Sequence, residues 1–173
     1  MKKFKTIAIV ALMVLIIPFI TACDKRQEVK FDGEEGTVTF APKESYGCKL
    51  STNKEDFRNS REQGMVICNN FKVSIEFDDI SYFFPKGFSQ YKEKRKADYK
   101  DLKEITYSGI KTVQYFYGGY NDYEVTFPVE GNDKYVLHLS VYGNKDTEKA
   151  AKDAINSEEV QDFLNNISGI AVK

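Results

Sequence analysis

The chain has 173 residues, 42% of them apolar, with thirteen Phe, eleven Tyr and no Trp. That supplies enough apolar side chain for one packed domain and argues against disorder over most of the length. A formal net charge of −1 leaves no bulk basic surface, so binding of nucleic acid through summed charge is excluded.

Lys2, Lys3 and Lys5 precede an apolar run from Ile7 to Ile20, which stops abruptly before Asp24-Lys25-Arg26. A membrane-spanning helix needs about 20 apolar residues. This run has fourteen and includes Pro18, so residues 1–22 read as a secretory leader and not as an uncleaved anchor helix. The segment Ile20-Thr21-Ala22-Cys23 resembles the lipobox of bacterial lipoproteins, in which the cysteine becomes the lipidated first residue of the mature chain. The resemblance implies a diacylglyceryl group on Cys23. One acyl chain holds only reversibly, but two hold firmly, so the expected place is the extracytoplasmic face of the cell membrane. Losing the three leader lysines leaves 22 cations against 26 acids, a net −4.

With Cys23 given to lipid, Cys48 and Cys68 remain. Outside the cytoplasm such a pair reads as a disulfide. It would stabilise by about 3 kcal/mol through a closed loop of some twenty residues. Two buried free thiols, packed as small apolar groups, are the alternative.

Residues 23–35 are expected to be the lipidated cysteine and a short polar tether, and residues 36–173 a single domain. Strand signals cover Gly36 to Ala41 and Tyr46 to Ser51. Residues 53–62 are polar, with only Phe57 as an apolar anchor, and read as a loop or weak turn. Met65 to Phe77 reads as one strand with a bend at Asn69-Asn70; Phe71, Val73, Ile75 and Phe77 alternate cleanly with Lys72, Ser74 and Glu76. After an aromatic turn at Phe83–Phe88, Ser89 offers a cap for a helix over 90–102. From Glu104 the pattern is a series of strands and tight turns through Lys111–Tyr117, Tyr123–Phe127 and Tyr135–Tyr142, which must pair antiparallel. Thr147 caps a helix over 148–155. Ser157 caps a second, whose Val160, Phe163, Leu164 and Ile167 form an apolar stripe ending at Gly169. The fold class is α+β: an antiparallel meander sheet covered by a C-terminal helix, with a second, surface helix after the third strand.

The Phe84-Pro85-Lys86-Gly87-Phe88 turn, the meander from Gly109 to Val141 and the closing Phe163-Leu164-Asn165-Asn166-Ile167 helix resemble the PsbP-like family. The resemblance spans roughly residues 36–171 in element order. It implies a helix-flanked sheet in an exported lipoprotein and brings no shared active site.

Chemistry is sparse. There is one histidine, His138, placed by alternation on the wetter face of its strand, where it reads as an ordinary surface residue without catalytic or metal partners. Nucleophile elbows and phosphate loops are absent. Asp78-Asp79 and the Asn and Asp of several turns could offer oxygens to calcium, but turn chemistry accounts for them. No cofactor and no metal is expected. Two binding surfaces stand out. Lys92, Arg95 and Lys96 sit in a basic stretch suited to anionic lipid or wall polymer, or simply to a solvated helix face. Tyr117 and Tyr120 flank Gly118-Gly119, where aromatics beside flexible glycines can form a recognition loop, or else pack as an ordinary hairpin. The expected function is a non-catalytic, membrane-tethered binding or accessory module with an envelope protein or wall polymer as partner. An exported hydrolase with a carboxylate site and an assembly factor of an envelope complex are the alternatives.

Overall fold

A computed structural model describes residues 25–58 and 61–173; the leader and Cys23 lie outside them. The described chain is α+β with antiparallel sheets. In order it forms β1 (Val29–Asp32), β2 (Gly36–Phe40), β3 (Lys49–Ser51), β4 (Gly64–Ile67), β5 (Phe71–Asp79), α1 (Phe88–Asp98), β6 (Lys103–Tyr107), β7 (Ile110–Tyr117), β8 (Asp122–Val129), β9 (Asn132–Gly143), α2 (Glu148–Ile155), α3 (Glu158–Leu164) and β10 (Ile167–Val172). Seven strands make one sheet in the order β3-β4-β5-β9-β8-β7-β6, and β1-β2-β10 make a smaller one. Among the described residues no helix is long and apolar enough to cross a membrane.

Period-two alternation gives the large sheet one apolar face. Val73, Ile75 and Phe77 of β5, Leu137, Leu139 and Val141 of β9 and Val125 and Phe127 of β8 are all buried there. The small sheet and α3 cover them. Phe31 of β1 stacks on Phe77 at 6.4 Å, and Phe163 of α3 lies 4.8 Å from Phe40 and 5.5 Å from Phe71. Both terminal helices are capped: the Thr147 side chain accepts from the Ala150 amide, and the Ser157 side chain from the Val160 amide.

Four expectations are corrected. The stretch Met65 to Phe77 is two antiparallel strands, because Asn69-Asn70 is a full hairpin turn closed by the Cys68 amide on the Phe71 carbonyl at 3.0 Å. Residues 25–35 are not a tether. Val29 and Phe31 are buried in β1, which pairs with β2, and Arg26 makes a bidentate bond to Asp162 at 2.7 and 3.0 Å. Among the described residues, long-range backbone pairing is thus present from Lys25 onward. α3 ends at Leu164, where the Asn165 and Asn166 amides bond back to the Gln161 and Asp162 carbonyls at 2.9 and 2.7 Å. Ile167–Val172 is instead an edge strand on β2. Gly169, at φ 62°, sits in its bulge and does not stop a helix. Finally, Gly87 at φ 67° begins α1, while the Ser89 hydroxyl donates to the Lys86 carbonyl at 3.2 Å and caps nothing.

Candidate polar cleft on the second sheet face

The alternation that buries one face of the large sheet turns a second set of side chains the other way. Register aligns Glu76 of β5 with His138 of β9 and Thr126 of β8, and aligns Ser74 with Ser140, Glu124 and, on β7, Tyr115. Asp122 of β8 faces Tyr117 of β7. The middle of this face is therefore polar and ionisable.

It is also covered. Tyr91 of α1 is fully buried among Ile80, Val113 and Val136, with Phe84 and Phe88 at 5.3 and 6.0 Å. Its hydroxyl lies 3.2 Å from that of Tyr115 and 3.3 Å from that of Thr126. Toward the β5 side, Arg58 stacks on the Tyr142 ring at 4.3 Å, and the Tyr142 hydroxyl donates to Glu62 at 2.8 Å. The expectation of a wet surface histidine thus fails: α1 seals the face, and His138 is only 8% exposed.

The covered face carries charge. His138 Nδ1 is 3.0 Å from the Thr126 hydroxyl, and the ring lies 3.7 Å from Asp78 and 3.8 Å from Glu124. Burial works against a charged ring, but Tyr91, the nearby Asp78 carboxylate and the charges of Glu124 and Glu76 outweigh it and raise its pKa to about 10. The His138 ring beside it holds Asp78 below the usual carboxylate range against its burial. Tyr115 bonds Glu124 through its hydroxyl, and burial pushes that phenol far up. Asp122 is 1% exposed, and burial, followed by Glu124, pushes it up to about 7. One of its oxygens has no hydrogen-bond partner.

A cleft of about 480 Å³ opens beside this network. Its wall is aromatic, from Tyr99, Tyr115, Tyr117 and Tyr120; its charges are Arg61, Arg95, Glu76 and Glu124. Arg95 lies over the rings of Tyr91, Tyr99 and Tyr115 at 4.9, 5.9 and 6.0 Å. Burial disfavours its charge, but the tyrosines and Glu124 hold it more firmly cationic than usual. Among the described residues no carboxylate comes within 4.0 Å of its guanidinium, and its buried Nε lacks an acceptor. Glu76 also has no hydrogen bond or ion pair among the described residues, and burial raises its pKa. Arg61 and Glu76 also line a second, larger cleft of about 910 Å³, rich in acids such as Asp32, Glu34, Glu35 and Asp79.

Of the residues singled out in the sequence, Tyr117, Tyr120 and Arg95 come together in the smaller cleft. Lys92 and Lys96 do not. Both pair with Glu104, at 3.0 and 2.6 Å, which neutralises the outer side of α1 and holds that carboxylate at about 2. Cys48 and Cys68 form a disulfide. Glu76, Glu124, Tyr99, Tyr115 and Arg61 went unnoticed as cleft residues. Their alternation carries no distinguishing signal, because ionisable and aromatic alternates suit a water-facing sheet as well. Among the described residues no group of three or more His, Cys, Asp or Glu side chains is arranged to hold a metal ion. Comparison of the chain with protein-family models, with curated proteins and with solved structures gave no match.

Proposed function

We propose that the chain is an extracytoplasmic lipoprotein, anchored through Cys23, whose helix-flanked meander domain is a non-catalytic binding module at the cell surface. The observation that carries the binding reading is the tyrosine-walled cleft, in which neither Arg95 nor Glu76 makes an ion pair within 4.0 Å among the described residues. His138 has the Asp78 carboxylate at 3.7 Å, whereas Arg95 and Glu76 feel Glu124 and His138 only at longer range, which leaves both with capacity for a direct partner from outside. The Cys48–Cys68 disulfide supports an oxidising compartment. A hydrolase working through paired carboxylates is the second reading, favoured by Glu76 and Glu124 lying in one cleft. A partner protein of the envelope has a separate foothold in the adjacent rings of Tyr82 and Phe83, 86% and 71% exposed.

Two measurements test the proposal. Labelled fatty acid should enter the wild type and not Cys23→Ser; label retained in the variant would overturn the anchor. Equilibrium dialysis of the full chain in detergent against small molecules extracted from its own cells, read by mass spectrometry, should show molecules retained unchanged. Their conversion to products would favour the hydrolase.

A further inference from the structure

We propose that the cleft between α1 and the β7–β8 hairpin is a receptor for a zwitterion of the α-amino-acid type, with its carboxylate on Arg95, its ammonium on Glu76 and its side chain against Tyr99, Tyr117 and Tyr120. This rests on the binding-module reading and names the ligand class for that site. The first argument is charge balance. Arg61, Arg95 and His138 are opposed by Glu76, Asp78 and Glu124 across the cleft and its floor. A purely anionic ligand would meet Glu76 and Glu124, and a purely cationic one Arg61 and Arg95. Either would leave net charge in a poorly hydrated place, which is costly. A zwitterion keeps the sum unchanged and gives a direct ion pair to both Arg95 and Glu76, which make none within 4.0 Å among the described residues.

The second argument is hydrogen-bond chemistry. A guanidinium presents a planar fork that matches a carboxylate, and Arg95 is oriented by three rings and not by a competing carboxylate. The Glu76 carboxylate only accepts, so an ammonium donor suits it. The third argument is shared enclosure: Glu76 and Arg95 line the same cleft. A cleft of about 480 Å³ holds such a molecule with its side chain.

The test uses the full chain in detergent micelles with ring-labelled tyrosine, read by NMR; the chain has only eleven tyrosines. The probes are glycine, L-glutamine and L-phenylalanine, each also in its N-acetylated and C-amidated form. At least one free amino acid should saturably shift the Tyr99, Tyr115, Tyr117 or Tyr120 signals. Its two blocked forms should bind more weakly by roughly tenfold or more, as expected when one charged bond is removed. Arg95→Gln should abolish binding of the free and acetylated forms. Glu76→Gln should weaken the free and amidated forms and leave the acetylated one unchanged. Should Arg95→Gln fail to fold, Arg95→Lys, which keeps the charge and loses the fork, should still weaken the free form. Blocked forms binding as well as their parents, or no cleft tyrosine shifted by any probe, would overturn the proposal. If lipid label stays on the chain while no probe binds, the ligand class falls and the anchored module stands. If a free amino acid binds and is converted, the zwitterion site stands and the non-catalytic reading falls.

Discussion

At His138 desolvation and charge pull in opposite directions, and charge wins because Tyr91, Asp78, Glu124 and Glu76 surround the ring. A histidine whose pKa in the fold, about 10, lies above its ordinary 6.5 stabilises the fold fully below pH 6.5, and that stabilisation is lost as pH rises toward 10. Denaturant unfolding of wild type and His138→Gln should therefore show a stability gap that is wide at pH 6 and narrows by pH 10; a gap constant across that range would mean a neutral ring. Asp122 behaves in the same sense for a different reason. Its carboxyl is raised from 3.8 to about 7 by burial and by Glu124, so its ionisation costs stability between those values. Asp122→Asn should gain on wild type as pH rises from 4 to 8, and a gain independent of pH would contradict the burial argument. Neither group was legible in the sequence. Alternation puts His138 on the correct face, but the thin apolar stripe of α1 gives no hint in the sequence that Tyr91 plugs that face and keeps it dry. The glycines between Tyr117 and Tyr120 mark that loop in the sequence, whereas the basic stretch around Arg95 points to an outward helix face and not to a guanidinium over three rings. Glu76 was seen only as a polar alternate, since nothing local distinguishes a carboxylate facing a cleft from one facing solvent.

Among the elements, α3 bears the heaviest packing. Phe163 is fully buried between Phe40 and Phe71, so Phe163→Ala should cost about 3–5 kcal/mol in chemical denaturation, and a loss under about 1 kcal/mol would mean the helix is not docked. The Cys48–Cys68 bridge joins the entry of β3 to the β4–β5 hairpin. Reducing it should lower stability by about 3 kcal/mol on the chain-entropy model, and coincident melting of oxidised and reduced protein would contradict that. The helices with side-chain caps and the strands with clean alternation were readable because their signals are local. The β1 strand was not. Its Val29 and Phe31 alternate over only four residues among Glu28, Lys30 and Asp32, and it is a strand because β2 is there to pair with it. For β10 the apolar stripe of α3 continued in sequence through Ile167, but the carbonyls of its last turn are satisfied by Asn165 and Asn166, and the backbone goes to the open edge of β2. Pairing to a distant edge leaves no periodic mark in the strand that makes it.

On the scale of the whole molecule, the fixed start of the domain sets its posture. Arg26, pinned to Asp162, lies three residues after Cys23, so a lipid on that sulfur holds the domain within roughly 11 Å of the bilayer surface. A long tether would let the module roam; the proposed anchor would hold the domain close to the membrane. The proposed anchor, the posture it would impose and the proposed ligand of the cleft are tested together by native mass spectrometry of the full chain, extracted from its own cells in mild detergent. The predicted spectrum is a chain that begins at Cys23 and carries a diacylglyceryl group, with a second peak heavier by one small zwitterion that disappears in Arg95→Gln. A chain beginning at Met1 without lipid, and no ligand-loaded peak that distinguishes wild type from Arg95→Gln, would contradict the account.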